Sequence, residues 1–339
     1  MLFNVPFLSL LALASAVPLA DFSRALNNLD ARAISATQTD LDNFRFFVQY
    51  ASAAYCNSEN APGAPVVCAA SACKTVEANR AVTVASVEGP KSGLGALVAV
   101  DHVRRAIVLT VRGSANVRNW LTNLQFTFSS CSDLVANCKV HNGFGDAWAE
   151  IRPTVLDAVR ASRAANPTYS VITTGHSLGG AVATIAAAYL RRVENIPVDI
   201  YSFGSPRVGN DHFANFVTAQ AGAEFRLTHG ADPVSRLPPI LFGYRHTSPE
   251  YWLNGGSSST VDHALNNLRV CEGIANIGCN GGTLGLDIDA HGYYLADVSA
   301  CNPKNSPTAR QADISDAELE QRLNAWVHQD VEWVEEHTA

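Results

Sequence analysis

Gly175-His176-Ser177-Leu178-Gly179 is the stretch that decides the fold. It follows an apolar run, Tyr169 to Thr174, and opens an Ala-rich segment, Gly180 to Arg192. A serine with a glycine two residues away on each side, between a strand and a helix, is the pattern of a nucleophile elbow. The tight, strained turn there admits only small neighbours. The five residues alone are weak: in a chain this long about 0.1 chance matches are expected. The flanks add weight. Val171 and Ile172 suit a buried parallel strand, and Gly179, Gly180, Ala181 and Ala183 let a helix approach a sheet closely. A glycine-rich turn with an ordinary surface serine is the competing reading.

On either side of this stretch the chain alternates. Leu41, Phe44, Phe47, Val48 and Ala51 recur at helical spacing, predicting a first helix that ends near Cys56. Three strand-like runs follow, Ala81–Val87, Leu94–Asp101 and Arg105–Arg112, the last two close enough for an antiparallel hairpin. Phe144, Trp148, Ile151, Val155 and Val159 return to helical spacing. Beyond the Ala-rich segment come a strand Val198–Phe203, a helix near Asn210–Ala221 and a strand Glu224–Thr228. Strands alternating with helices predict an α/β fold: one domain with a central, mostly parallel sheet and helices on both faces.

Composition narrows the function. The chain has 339 residues, 47% of them hydrophobic, enough for one large core. Its net charge of −7 and its lack of a Lys/Arg cluster argue against a nucleic-acid partner. Residues 1–16 read as a secretory leader: Phe7 to Val17 is a short apolar run, and Ala14-Ser15-Ala16 is a small-residue cleavage site. The run is too short for a membrane anchor, and no later stretch is long and apolar enough to span a bilayer. The expectation is a secreted, extracellular, monomeric protein with no transmembrane segment. A polar stretch, 17–32, resembles a short propeptide.

Eight cysteines in a secreted chain imply disulfides, with 105 possible pairings. Short spacing in Cys68/Cys73, Cys131/Cys138 and Cys271/Cys279 favours local loops without deciding the matter. There is no C-x-x-C and no suitable Cys/His pairing, so neither a metal nor a cofactor is expected.

A serine nucleophile needs a base, and the base needs an acid to fix its tautomer. In α/β-hydrolase folds the chain order is Ser, then Asp or Glu, then His. Asp232, on the turn after the strand Glu224–Thr228, is placed to supply the acid. Asp199 sits at the wrong end of its strand, and Asp211 opens a helix. The histidines beyond Asp232 are His246, His263, His291, His328 and His337. His291 stands out because it lies shortly before Cys301. His176 adjoins the serine but points elsewhere on the turn, which suggests a structural role.

The chain resembles secreted filamentous-fungal class 3 lipases, a family that also contains feruloyl esterases. The resemblance runs from about Thr39 to Cys301. Its motifs are Val111-Arg112-Gly113-Ser114, Arg118-Asn119-Trp120, His141-Asn142-Gly143-Phe144, Thr174 to Ala181, Gly204-Ser205-Pro206-Arg207-Val208-Gly209-Asn210 and Arg236-Leu237-Pro238-Pro239. The resemblance implies an α/β-hydrolase domain over 33–302, with Ser177 as nucleophile, Asp232 as acid and His291 as base. It implies an oxyanion hole at Ser114 and Leu178. It also implies the pairs Cys56–Cys301, Cys68–Cys73 and Cys131–Cys138, which leaves Cys271 with Cys279. Two positions depart from the family: Gly292 replaces a bulky apolar residue, and Ser235 stands where proline is common.

The segment Val117 to Leu124 corresponds to the family's lid. Val117, Trp120, Leu121 and Leu124 fall on one helical face, with Arg118, Asn119, Thr122 and Asn123 on the other. That apolar face favours a lipid substrate at an oil–water or membrane interface over soluble plant cell-wall esters. Residues 303–339 exceed what the resemblance requires. After a polar stretch containing Arg310, Ser315-Asp316-Ala317-Glu318 reads as a capping box. Leu319, Leu323, Trp326, Val327, Trp333 and Val334 then form an apolar stripe that Asp330 interrupts. The segment is either a permanent surface helix or a propeptide lying on the lid.

Overall fold

A computed structural model of the chain describes residues 35–301 and 314–338. The leader 1–16, the propeptide-like stretch 17–32 and Arg310 lie outside the described residues. From Ala36 onward the described residues belong to one compact unit.

Helix α1 (Gln38–Asn57) starts with a capping box: the Thr37 hydroxyl accepts from the Asp40 N–H, and the Asp40 carboxylate accepts from the Thr37 N–H. A short α2 (Lys74–Ala78) follows. Strands β1 (Val82–Glu88), β2 (Gly95–Asp101) and β3 (Ala106–Val111) pair antiparallel. Helix α3 (Val117–Asn123) and a ribbon of β4 (Phe128–Ser130) and β5 (Lys139–His141) precede the long α4 (Asn142–Ala165). Strand and helix then alternate through β6 (Ser170–His176), α5 (Leu178–Arg192), β7 (Val198–Phe203), α6 (Asp211–Ala219) and β8 (Glu224–His229). The chain continues through β9 (Glu250–Leu253), β10 (Leu268–Cys271), α7 (Ile288–Gly292) and α8 (Asp316–Thr338).

Eight strands form one sheet in the order β1-β2-β3-β6-β7-β8-β9-β10. It is parallel from β3 to β9 and antiparallel at both edges. Every residue of β2 is buried, because the sheet is covered on both sides. Ala96, Val98 and Val100 join the cluster of Phe144, Trp148 and Ile151 from α4 with Val182 and Ala183 from α5. Leu97 and Ala99 face Phe44, Phe47 and Val48 of α1 on the opposite side. Alternation of strand side chains makes that division. This is the α/β-hydrolase arrangement, with the elbow at the centre of the sheet.

Four disulfides are present: Cys56–Cys301, Cys68–Cys73, Cys131–Cys138 and Cys271–Cys279. Cys56–Cys301 spans 245 residues and ties the end of α1 to the segment behind α7. In the chain-entropy picture, closing a loop that long limits the unfolded chain by about 5 kcal/mol.

Candidate active site

Strand β6 and helix α5 meet at Ser177, whose backbone stands at φ 58°, ψ −132°. For a residue with a side chain this costs about 1–3 kcal/mol and persists only where the surroundings enforce it. Here they do. A Cβ on Gly175 would run into the Gly179 backbone, and one on Gly179 into the Val111 carbonyl. The helix therefore presses against β3 and β6 at backbone distance. The Ser177 N–H donates to the Phe203 carbonyl at 2.9 Å, and its carbonyl accepts from the Gly180 N–H at 2.9 Å. Leu178 begins α5, so its N–H has no acceptor within the helix.

Across from the turn, α7 carries His291. The Asp287 side chain caps this helix by accepting from the Ala290 N–H at 3.0 Å. His291 Nδ1 lies 2.8 Å from Asp232 Oδ2, and both side chains are buried. Asp232 Oδ2 also accepts from the Tyr294 hydroxyl, and Oδ1 accepts from the Val234 N–H at 2.8 Å. Burial pushes the Asp232 carboxyl up. The charge and hydrogen bond of His291, with the bonds from Tyr294 and Val234, outweigh burial and hold it below the usual carboxylate range. An ionised Asp232 accepts from Nδ1–H, so Nε2 of a neutral His291 carries a lone pair. Nε2 is buried with no hydrogen-bond partner among the described residues.

The Asp232 turn is itself pinned. Asn280 donates to the Gly230 and Asp232 carbonyls at 3.2 and 3.1 Å, next to the Cys271–Cys279 bridge. Ser235, where the family often has proline, reaches Asp232 Oδ2 only at 3.5 Å. Below the turn, buried Arg207 donates to the Arg236 and Pro238 carbonyls, and Arg236 donates to the carbonyl of Thr283.

His176 braces the arrangement from behind. Its Nε2 is 2.7 Å from the His291 carbonyl, its Nδ1 is 2.9 Å from the Tyr55 hydroxyl, and its ring centre lies 4.4 Å from that of His291. Burial lowers its pKa to about 3, so the ring is neutral. A neutral imidazole has one donor, and the carbonyl needs it. Nε2–H therefore donates to His291 O, while Nδ1 accepts from Tyr55.

A cavity of about 230 Å³ opens beside these groups, lined by Tyr55, Ser114, Val117, His291, Gly292 and Ser299 among others. A Cβ on Gly292 would meet only Ser299 Oγ, at 3.9 Å. Asp199 accepts from the Ala223 N–H at the opposite end of its strand, and Asp211 lies in the first turn of α6.

Helix α3 begins with Asn116 accepting from the Asn119 N–H at 2.9 Å. Its apolar face does not stand open. Leu121 is buried, and Val117, Trp120 and Leu124 pack with it against Val234, Leu237 and the α8 residues Leu319, Leu323 and Trp326. Asp330, the break in the α8 stripe, faces inward and lies 3.0 Å from Arg207, with both groups buried. Tyr294, the Tyr55–His176 brace and the Arg207–Asp330 pair are the site features that sequence reasoning missed. Only Asp330 left a signal: one carboxylate at an otherwise apolar position.

Comparison with known proteins identifies the family. Residues 108–242 match the family model described as Lipase (class 3). The secreted mono- and diacylglycerol lipase 1 of Fusarium solani is 52% identical over 338 residues, covering 100% of both chains. The secreted mono- and diacylglycerol lipase A of Penicillium camembertii is 36% identical, covering 83% of this chain and 92% of its own. The crystal structure of the mono- and diacylglycerol lipase from Aspergillus oryzae superposes with a TM-score of 0.73 at 34% identity, covering 78% of this chain and 99% of that one. Secretion, expected from the leader, agrees with the names of the first two relatives. No described helix is long and apolar enough to cross a membrane. On the identity to the Fusarium enzyme, sustained over the whole chain, this protein belongs to the class 3 lipase family and is a carboxylic ester hydrolase.

Proposed function

We propose that the protein hydrolyses acylglycerol esters at a lipid–water interface through an acyl-enzyme on Ser177. The observation that carries the reading is the buried His291. One ring nitrogen is committed to Asp232 and the other is unpaired beside the cavity. Ser177 Oγ attacks the ester carbonyl carbon while His291 Nε2 takes the hydroxyl proton. The developing oxyanion is held by the N–H groups of Ser114 and Leu178, with the Ser114 hydroxyl assisting; one such donor is worth about 3 kcal/mol. His291 then returns the proton to the departing glycerol oxygen, leaving the acyl group on Ser177. Water, deprotonated by the same nitrogen, releases the fatty acid. Catalytic hydrogen bonds are often long in the free enzyme and tighten with substrate, which suits the free Nε2.

The substrate class rests on two supports. The Fusarium and Penicillium relatives are named for mono- and diacylglycerols. The apolar face of α3 borders the cavity through Val117. The test is hydrolysis of one short-chain ester across its solubility limit, beside emulsions of diacylglycerol, triacylglycerol and phosphatidylcholine. A rate jump at the limit with turnover of the acylglycerols is expected, and the phosphatidylcholine arm decides whether phospholipids share the site. A soluble feruloyl ester hydrolysed faster than every emulsion would overturn the proposal.

A further inference from the structure

We infer that α8 is a built-in occupant of the surface through which this protein meets lipid, so that lipid and the helix compete for one apolar face. The inference rests on the acylglycerol reading above and adds its regulation. Helix α8 has two parts with different work. The first half holds α3. Leu319 and Leu323 are buried against Leu121, with Trp326 beside them. Arg118 on α3 pairs with Asp316 at 2.7 Å and donates to the Ile314 carbonyl at 2.8 Å. Arg322 reaches back to the Leu121 and Thr122 carbonyls, at 3.3 and 3.2 Å. These carbonyls belong to the last turn of α3, where no further helical turn can bond them. Both ends of the lid segment are thus tied to one helix.

The second half is an anchor. Asp330 accepts from Arg207 at 3.0 Å and from the Leu241 N–H at 3.0 Å. The Arg245 guanidinium lies 4.3 Å from the Trp333 ring centre. Arg207 is wholly buried, and losing Asp330 would leave an uncompensated cation in the core. This half therefore stays, and α8 pivots about it.

The occupant that fits the uncovered face is a lipid surface. Apolar side chains continue past α8: Phe126 stacks on Phe242 at 5.3 Å and meets Trp326 at 5.2 Å, and Leu241 and Phe242 are 43% and 44% exposed. Val117 belongs both to this face and to the lining of the His291 cavity, so lipid seated here is delivered to the site. While α8 is seated it presents exposed Asp316, Glu318, Glu320, Glu332, Glu335 and Glu336 instead. That acidic rim is poorly suited to an anionic membrane and hides the surface that must meet lipid.

Two full-length variants test this. Asp316→Asn/Arg322→Gln cuts the polar ties at the protein surface, and Leu319→Ala/Leu323→Ala loosens the apolar seat. Each is assayed on a dissolved short-chain ester, on a diacylglycerol emulsion, and for co-sedimentation with phosphatidylcholine vesicles. Loosening the helix should raise the emulsion rate and the vesicle-bound fraction by about threefold or more, with dissolved-ester turnover unchanged within about twofold. If the leucine variant loses its cooperative melting transition, the surface variant decides. A folded variant whose vesicle binding and emulsion rate match wild type overturns the inference. Vesicle binding is read without catalysis, so failure of both wild type and variants on diacylglycerol would sink the substrate reading and leave this test standing.

Discussion

The two walls of the site are built on different principles. On one, the Ser177 turn is enclosed by backbone: Gly175, Gly179 and their neighbours stand where one extra carbon would strike a main chain. On the other, α3 and α8 meet through side chains, two arginines and a few aliphatic contacts. Backbone against backbone leaves no alternative conformation and can hold a strained φ. A small apolar seat with charged ties exchanges one partner for another at modest cost. The first wall suits a group whose position must not change, and the second suits the displaceable cover we infer above.

The largest break in this contrast is Ser177→Ala. It should lower ester hydrolysis by about 10⁴-fold or more while the melting transition stays in place, because the oxyanion donors and the cavity cannot supply a nucleophile. A variant retaining a tenth of wild-type turnover would refute the serine mechanism. Next is Gly179→Ala. Inside a helix this change ordinarily stabilises by about 1 kcal/mol. Here the new Cβ meets the Val111 carbonyl, so a loss of about 3 kcal/mol is expected by chemical denaturation. Any gain in stability would show that the backbone wall is not rigid.

A smaller effect is expected for Tyr294→Phe, which removes one of the bonds holding Asp232 ionised. The folded pKa of Asp232 is depressed, so its contribution is present above the unfolded value and lost as pH falls through the folded one. The variant should be less stable by about 2 kcal/mol at neutral pH. Its deficit should close as pH drops below the ordinary carboxylate range, through the depressed pKa of Asp232; a pH-independent deficit would assign Tyr294 to packing alone. The smallest effect is Gly292→Ala. Its Cβ meets only Ser299 Oγ, at 3.9 Å, so the same substitution that damages Gly179 should here raise stability by up to about 0.5 kcal/mol. Thermal melts of both alanine variants, run together, give the sign test.

Much of the fold was legible because its signals are local. The apolar run into Ser177 and the small residues after it each occupy a dozen residues or fewer, the alternation of strands with helices is read one element at a time, and each lies where the pattern put it. The site was legible in part. Asp232 and His291 stood out by position relative to the strand and to Cys301, and they lie 2.8 Å apart across 59 residues of chain. Which tyrosine of Tyr293-Tyr294 turns inward was not readable, since adjacent aromatics have the same propensity and only the path of the loop separates them. The role of α8 was half visible: its stripe showed an apolar face to be covered, while Asp330 read only as an interruption of that stripe.

What the sequence determined by itself is the strand–turn–helix at Ser177, the chain order of serine, acid and histidine, and an amphipathic pattern at each of α3 and α8. The turn and the two amphipathic patterns follow from steric limits and hydrophobic periodicity within short windows, which no distant residue needs to supply; the order of serine, acid and histidine is what the family resemblance implies. Tertiary structure alone decided that Tyr294 holds Asp232, that His176 braces His291 from behind, and that Arg207 pairs with Asp330 across 123 residues. Buried polar groups must find partners wherever the packed core brings them, and that place is set by how the whole chain closes rather than by any window of it.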